Sequence, residues 1–219
     1  MKSVVRLKKA DCRHTQRPIT VYLYNGYYIG LSDRRTGFDS RIDRHYERRR
    51  MNTIYFDMDG TIADLYGVDN WLDKLLSEDA SPYLDAEPLV DMDRLQKLLN
   101  GFQKKGCKLG VITWLSKGST ESYDEKVTEA KLSWLQSSLP EVKFDEIHVV
   151  PYGQNKHETA TDKDGVLFDD DDRVRGTWGG ESINPKTTDI NDFLGGRIWV
   201  RPHTRKGRPV KGHFRRRRA

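Results

Sequence analysis

The chain has 219 residues, 32% of them charged, with a formal net charge of +5. That length supports one ordinary domain with appendages, and no apolar run approaches the roughly 20 residues of a membrane span. Only two cysteines are present, Cys12 and Cys107, and their separation argues against a disulfide framework and for a reducing, cytoplasmic setting.

The charge is unevenly spread. Residues 1–50 carry 13 Lys/Arg and 5 Asp/Glu, residues 197–219 carry 10 Lys/Arg and no acid, and the segment between holds 15 basic and 28 acidic residues. An acidic body therefore bears basic ends, and basic runs attract phosphate polyanions. The alternative is a solvated tail that aids solubility or binds the acidic body itself. Met1 to Lys9 is charged without an apolar h-region, so no secretory signal is expected. Cys12 and His14 stand too isolated to argue for zinc, and the six histidines show no metal-ligand spacing. Pro18 to Gly30 reads as a β-hairpin around a two-residue Asn25-Gly26 turn, and Asp33 to Arg50 as a polar, arginine-rich linker. Tyr22, Tyr24, Tyr27 and Tyr28 could stack on bases or pack across the strands. Met51 directly precedes the next apolar run, so residues 1–50 are either an accessory module or the product of an upstream start.

Thr53-Ile-Tyr-Phe-Asp-Met-Asp-Gly-Thr-Ile-Ala-Asp64 is a short apolar strand running into two aspartates spaced by one residue. Residues i and i+2 of a strand share a face, so Asp57 and Asp59 are placed to converge just past its end. Close carboxylates repel unless a cation lies between them, and a hard divalent ion bound through oxygen is the usual one. Gly60 allows a sharp turn, which the Thr61 hydroxyl could cap. Downstream, Val68, Trp71, Leu72, Leu75 and Leu76 have helical spacing over 68–78. Met92, Leu95, Leu98, Leu99 and Phe102 mark a second helix that stops near Gly106. Leu109 to Thr113 is an apolar strand. Tyr123, Val127, Ala130 and Trp134 line a third helix over about 121–137, and the strand Glu146 to Val150 follows. Gly165-Val-Leu-Phe-Asp-Asp170 is a further strand ending in paired acids, within a run that continues through Asp171 and Asp172. Alternating strands and helices predict an α/β fold, a Rossmann-like parallel sheet with helices on both faces. Its ligand edge lies beyond the carboxyl ends of the strands, where Asp57, Thr113, Asp169 and Asp170 all fall.

This ordered set resembles the haloacid dehalogenase-like (HAD) phosphohydrolases over about residues 51–195. Asp57-Met-Asp-Gly-Thr61 is similar to the family's motif I, the strand ending in Thr113 to motif II, and the strand ending in Asp169-Asp170 to motif IV. The motif III lysine is Lys156 or Lys163, of which Lys156 has room to begin a short helix. The resemblance implies a HAD-like fold with a small helical cap at about 62–90. It also implies Mg²⁺-dependent hydrolysis of a phosphomonoester through an aspartyl-phosphate. Asp57 would be the nucleophile and Asp59 the general acid and base. Thr113 and Lys156 would bind the phosphoryl oxygens. The metal would be held by Asp57, the Asp59 carbonyl and an acid of the Asp169–Asp170 pair. The opening motif and doubled acids look like those of small 5′-nucleotidase or deoxyribonucleotidase-like members of bacterial or phage type, so a nucleotide substrate is expected. Trp114 could stack on its base or pack beside the site.

The C-terminal segment, 196–219, lies outside this pattern. Ile198, Val200 and His203 before Lys206-Gly207, with Val210 and Phe214 after it, suggest a short basic hairpin or an extended arm. Non-specific nucleic-acid binding through 197–219 and 1–50 is the partner expected. Two other readings stand beside the nucleotidase. One is a polynucleotide-end phosphatase. The other is a nucleic-acid-binding or virion-associated protein on a vestigial HAD scaffold.

Overall fold

A computed structural model of the chain describes residues 21–22, 30–31, 53–200, 203–205, 208–210 and 213–216. The centre is a parallel sheet of five strands: β3 (Thr53–Phe56), β6 (Lys108–Trp114), β7 (Glu146–Val150), β8 (Val166–Phe168) and β9 (Ser182–Ile183), in the order β7-β6-β3-β8-β9. The apolar runs of β3 and β8 are buried along their whole length, as a sheet covered on both faces requires. Side chains alternate between those faces. Ile54, Phe56, Leu109, Val111, Val166 and Phe168 point one way, into a core completed by α3 (Met92–Gln103), α4 (Glu121–Ser138) and α7 (Ile190–Gly195). Tyr55, Ile112 and Leu167 point the other way, against Ala160 after α5 (Lys156–Thr159), Val174 of α6 (Asp172–Thr177) and Trp178. Helices therefore cover both faces of a parallel sheet, as the strand–helix alternation leads one to expect.

Local signals set the helix limits. The Asp91 carboxylate accepts from Arg94 N at 2.9 Å to start α3, and Gly106, at φ +88°, follows its end. The periodic stretch over 68–78 yields only α1 (Trp71–Leu76), because Asn70 and Glu78 bracket it with left-handed φ angles of 56° and 57°. Segment 63–88 combines the strand pair β4 (Ala63–Asp64) and β5 (Glu87–Pro88) with a 3₁₀ turn at Leu65–Gly67, α1 and α2 (Ser81–Asp85). It packs through Leu65 and Tyr83 against Tyr123, Val127 and Ala130 of α4.

The sheet is pinned at the edge opposite the strand ends by one polar network. The Tyr55 hydroxyl donates to Glu146 Oε1 at 2.5 Å and accepts from Asp162 N at 2.9 Å. Glu146 Oε2 accepts from Thr161 and from His148 Nε2, both at 2.7 Å. Room for the tyrosine ring comes from Gly110, where a Cβ would lie 2.6 Å from Tyr55 Cδ1, and from Gly165, where it would lie 2.7 Å from Cε2.

At the N-terminus, β1 (Val21–Tyr22) pairs antiparallel with β2 (Gly30–Leu31). Tyr22 stands opposite Gly30, whereas a two-residue Asn25-Gly26 turn would set it opposite Ile29; the turn itself lies outside the described residues. At the C-terminus, β10 (Arg197–Val200) pairs with β13 (His213–Arg216), and β11 (His203–Arg205) with β12 (Arg208–Val210). The segment keeps one register through both pairs, with Arg205 and Arg208 the innermost partners; the expected turn at Lys206-Gly207 lies outside the described residues. It is anchored by Arg197, whose guanidinium meets Glu181 Oε1 at 3.0 Å and lies 4.1 Å from the Phe193 ring centre.

Burial disfavours the Glu146 carboxylate, but hydrogen bonds from His148, Tyr55 and Thr161 outweigh it and hold its pKa at about 2. Glu146→Gln should therefore destabilise the protein by roughly 1–3 kcal/mol at neutral pH. Because the native pKa lies below the ordinary 4.5, the advantage of wild type over the variant is present above that value and shrinks as pH falls toward 2. Denaturant unfolding of both proteins across that range measures it.

Candidate active site

Adjacent strand ends bring three carboxylates together. Asp57 N donates to the Phe168 carbonyl at 2.9 Å, which sets Asp57 beside Asp169 as the chain leaves β3 and β8. Carboxylate oxygens of Asp57, Asp169 and Asp170 lie within 4.8 Å of one another. Gly60, at φ +74°, is needed at the turn between Asp59 and Thr61, since a Cβ there would sit 2.7 Å from Asp170 Oδ2 and 2.8 Å from Tyr66 Cε2. The turn closes through the backbone, with Thr61 N, Ile62 N and Ala63 N all donating to the Met58 carbonyl. The Thr61 hydroxyl does not cap it; Thr61 Oγ1 accepts from Asp170 N at 3.2 Å and so ties the two acid-bearing loops together.

Lys156 opens α5, whose start is capped by the Asn155 side chain accepting from His157 N at 3.0 Å. Its buried ammonium lies 2.8 Å from both Asp57 Oδ1 and Asp169 Oδ2, and 4.9 Å from the Trp114 ring centre. Lys163 is placed elsewhere: it is exposed on the far side of α5 and donates to the carbonyls of His157 and Glu158 at 2.5 and 2.6 Å. Burial alone would lower the Lys156 pKa, but the charges of Asp57 and Asp169 more than compensate and raise it.

Asp59 stands apart from the carboxylate cluster. The chain turns at Met58, whose carbonyl takes the three turn donors, so the alternation that would bring residues 57 and 59 to one point no longer applies. The Asp59 carboxylate turns instead toward α4, where Lys131 Nζ donates to Asp59 Oδ2 at 2.5 Å and to Thr113 Oγ1 at 2.9 Å. Lys131 is completely buried. Burial raises the Asp59 pKa and the Lys131 charge pulls it back, with a net rise. Lys131 is a residue that pattern reading passes over, although it occupies the apolar stripe of α4 one turn from Val127 and three residues before Trp134. A lysine within such a stripe is the available signal.

The remaining acids serve the frame. Asp171 caps α6, accepting from Arg173 N at 2.8 Å, and pairs with the Arg173 guanidinium at 2.6 Å. Asp172 pairs with Arg175, whose other nitrogen donates to the Asp169 carbonyl at 2.7 Å. Lys186 reaches Asp170 Oδ2 at 2.8 Å from an exposed position.

Asp57, Asp169 and Asp170 suit a hard divalent cation such as Mg²⁺, since they offer oxygen ligands alone. The electrostatics agree. Burial, and then the charge of Asp57, push Asp169 up to about 7 in spite of Lys156, so the cluster is short of positive charge. Around it lies an aromatic mouth. Trp114 and Tyr152 pack with ring centres 5.2 Å apart, and Tyr152 is 46% exposed. On the other side Tyr66, 49% exposed, sets its ring edge-on to Trp71 at 5.1 Å. Burial and the charges of Asp59, Asp170 and Asp57 raise the Tyr66 pKa, which marks its place beside the acids.

Mg²⁺ should raise the melting temperature of the protein, by the equivalent of about 2.7 kcal/mol at a hundredfold excess over Kd, and Asp170→Asn should remove most of that gain. The gain should be larger at pH 8 than at pH 6, because Asp169 keeps its proton up to about 7 and a protonated carboxyl is a poor ligand. Thermal melts with Mg²⁺ and with EDTA at the two pH values check both.

No family model and no curated protein sequence matches the chain. Among solved structures, D,D-heptose 1,7-bisphosphate phosphatase from Burkholderia thailandensis is similar at 13% identity and a TM-score of 0.36, over 59% of this chain and 74% of that one. The HAD domain of effector protein Lem4 from Legionella pneumophila is similar at 13% identity and a TM-score of 0.32, over 67% of this chain and 93% of that one. A likeness of this extent carries no argument about activity, which rests on the residues themselves.

Proposed function

We propose that the chain is a Mg²⁺-dependent phosphomonoester hydrolase that acts on nucleotides through an aspartyl-phosphate on Asp57. The observation that carries this reading is the buried Asp57 carboxylate at a strand end, with Lys156 bonded to one of its oxygens and Asp169 and Asp170 beside it. Asp57 attacks phosphorus, forming one P–O bond as the bond to the leaving oxygen breaks. Asp59 delivers its proton to that oxygen. It then takes a proton from the water that attacks phosphorus and releases Asp57. Thr113 and Lys156 hold the transferring phosphoryl oxygens. Asp57, Asp169, Asp170 and the Asp59 carbonyl would hold Mg²⁺, which when bound offsets carboxylate charge as the phosphate dianion enters. Segment 62–90 acts as the small cap. The nucleotide reading is supported by the aromatic mouth, since Trp114–Tyr152 and Tyr66 offer ring faces to a base on the leaving-group side.

A second reading, a polynucleotide-end phosphatase, is favoured by the C-terminal hairpin. Its register sets Arg205 opposite Arg208. Directly opposed like charges destabilise a strand pair, and a phosphate backbone would offset that repulsion. The geometry of acids and buried lysines speaks against a vestigial scaffold, because burying so many charges serves no packing purpose.

Phosphate release from nucleoside 5′- and 3′-monophosphates and from end-phosphorylated oligonucleotides tests the first reading. Wild type should turn over with Mg²⁺, and Asp57→Asn should lose at least about 10³-fold in kcat while keeping its fold. Full activity in folded Asp57→Asn would sink the assignment. For the arm, replacing Arg205, Arg208, Arg215 and Arg216 together by Gln should weaken binding of a single-stranded oligonucleotide and flatten its dependence on salt. An unchanged salt slope would remove the arm from the account.

A further inference from the structure

Resting on the phosphatase reading, we infer that Lys131 is a positioning residue, which orients both the Asp59 carboxyl and the Thr113 hydroxyl toward the transferring phosphoryl group. An ammonium has three N–H donors and no acceptor. Lys131 therefore uses a lone pair of Thr113 Oγ1, at 2.9 Å, and leaves that hydroxyl's own hydrogen to point elsewhere. The hydroxyl sits at the strand end that faces the site, so the donor left over is available to a phosphoryl oxygen. Lys131 also occupies Asp59 Oδ2, at 2.5 Å, which leaves Oδ1 to carry the proton that moves. The ammonium lies 4.7 Å over the ring of Tyr83, whose hydroxyl is 2.6 Å from Ser116 Oγ, so α2 closes over the pair from the side of segment 62–90.

A purely structural lysine fits this place poorly. The side chain has no exposed surface, its neighbours Val127, Ala130 and Trp134 form an apolar stripe, and an apolar residue of similar volume is commonly as stable as a buried ion pair. What an apolar residue would lose is orientation. Asp59 would be free to swing between α4 and the other carboxylates, and the Thr113 hydroxyl could donate to Asp59 instead of to phosphate.

The proton that Asp59 delivers matters most when the leaving oxygen is a poor leaving group and little when it is a good one. The test therefore compares Lys131→Met with wild type on two esters, a simple alkyl phosphate and 4-nitrophenyl phosphate. With positioning, kcat should fall about 10²-fold or more on the alkyl ester and less than about 10-fold on the nitrophenyl ester, while KM changes little on either. Combined with Asp59→Asn, Lys131→Met should add little further loss, as for residues that act as a unit. The same comparison is read on Lys131→Gln, which keeps a donor without the charge. Equal losses on both esters, or full additivity with Asp59→Asn, would overturn the proposal while leaving the phosphatase reading intact. Failure of both lysine variants to fold would also overturn it, by making the residue a requirement of the scaffold. A wild-type protein inactive on both esters would overturn the phosphatase reading itself, and this inference with it.

Discussion

Four carboxylates, Asp57, Asp59, Asp169 and Asp170, crowd the carboxyl edge of a sheet buried on both faces, and much of the molecule is arranged to make that tolerable. Isolated buried charge is strongly unfavourable, so each acid is answered. Lys156 is shared between Asp57 and Asp169, Lys131 is given to Asp59, and Lys186 reaches Asp170 from the surface. Two of these three cations are themselves buried. Even so, Asp169 is pushed up to about 7, so the balance is left deliberately incomplete in the protein alone. A divalent cation bound there, as proposed above, would supply the missing positive charge.

The scaffold serves this edge. Parallel strands deliver their last residues to one side. Because β3 is central, its end lies between those of β6 and β8, and the acids meet the threonine without any long loop. The opposite edge is held by the Tyr55–Glu146–Asp162 network, which ties β3 to the start of β7 and to the loop before β8 through one phenol. The acids of the candidate site and the stabilising polar network are thereby kept at opposite ends of the same strands. Tyr55 separates them along β3, with its ring fitted between Gly110 and Gly165.

What could be read from the residues was whatever depends on periodicity. The strand ending at Asp57, the helix over 121–137 and the strand at 146–150 follow from spacing alone, and the α/β class follows from their alternation. The position of Asp59 did not, because the period-2 rule holds only while the chain stays extended, and it turns at Met58. Lys131 was hidden by the same logic that located its helix: a stripe is recognised by its apolar members, and a charged intruder is passed over. Whether Lys156 or Lys163 meets the acids depends on where α5 turns, and the two residues on either side of one short helix have the same chemistry. The elements β4, β5 and β9 are two residues each, too short for any period to register.

The C-terminal hairpin has an electrostatic consequence of its own. An ordinary surface ion pair weakens as salt is added, because screening removes attraction. Here the register sets Arg205 opposite Arg208, and like charges directly opposed destabilise a strand pair, so at that rung screening removes repulsion rather than attraction. The arm thus answers salt in two opposed ways within one short element: its Arg197–Glu181 attachment loosens on screening while its Arg205–Arg208 rung is relieved.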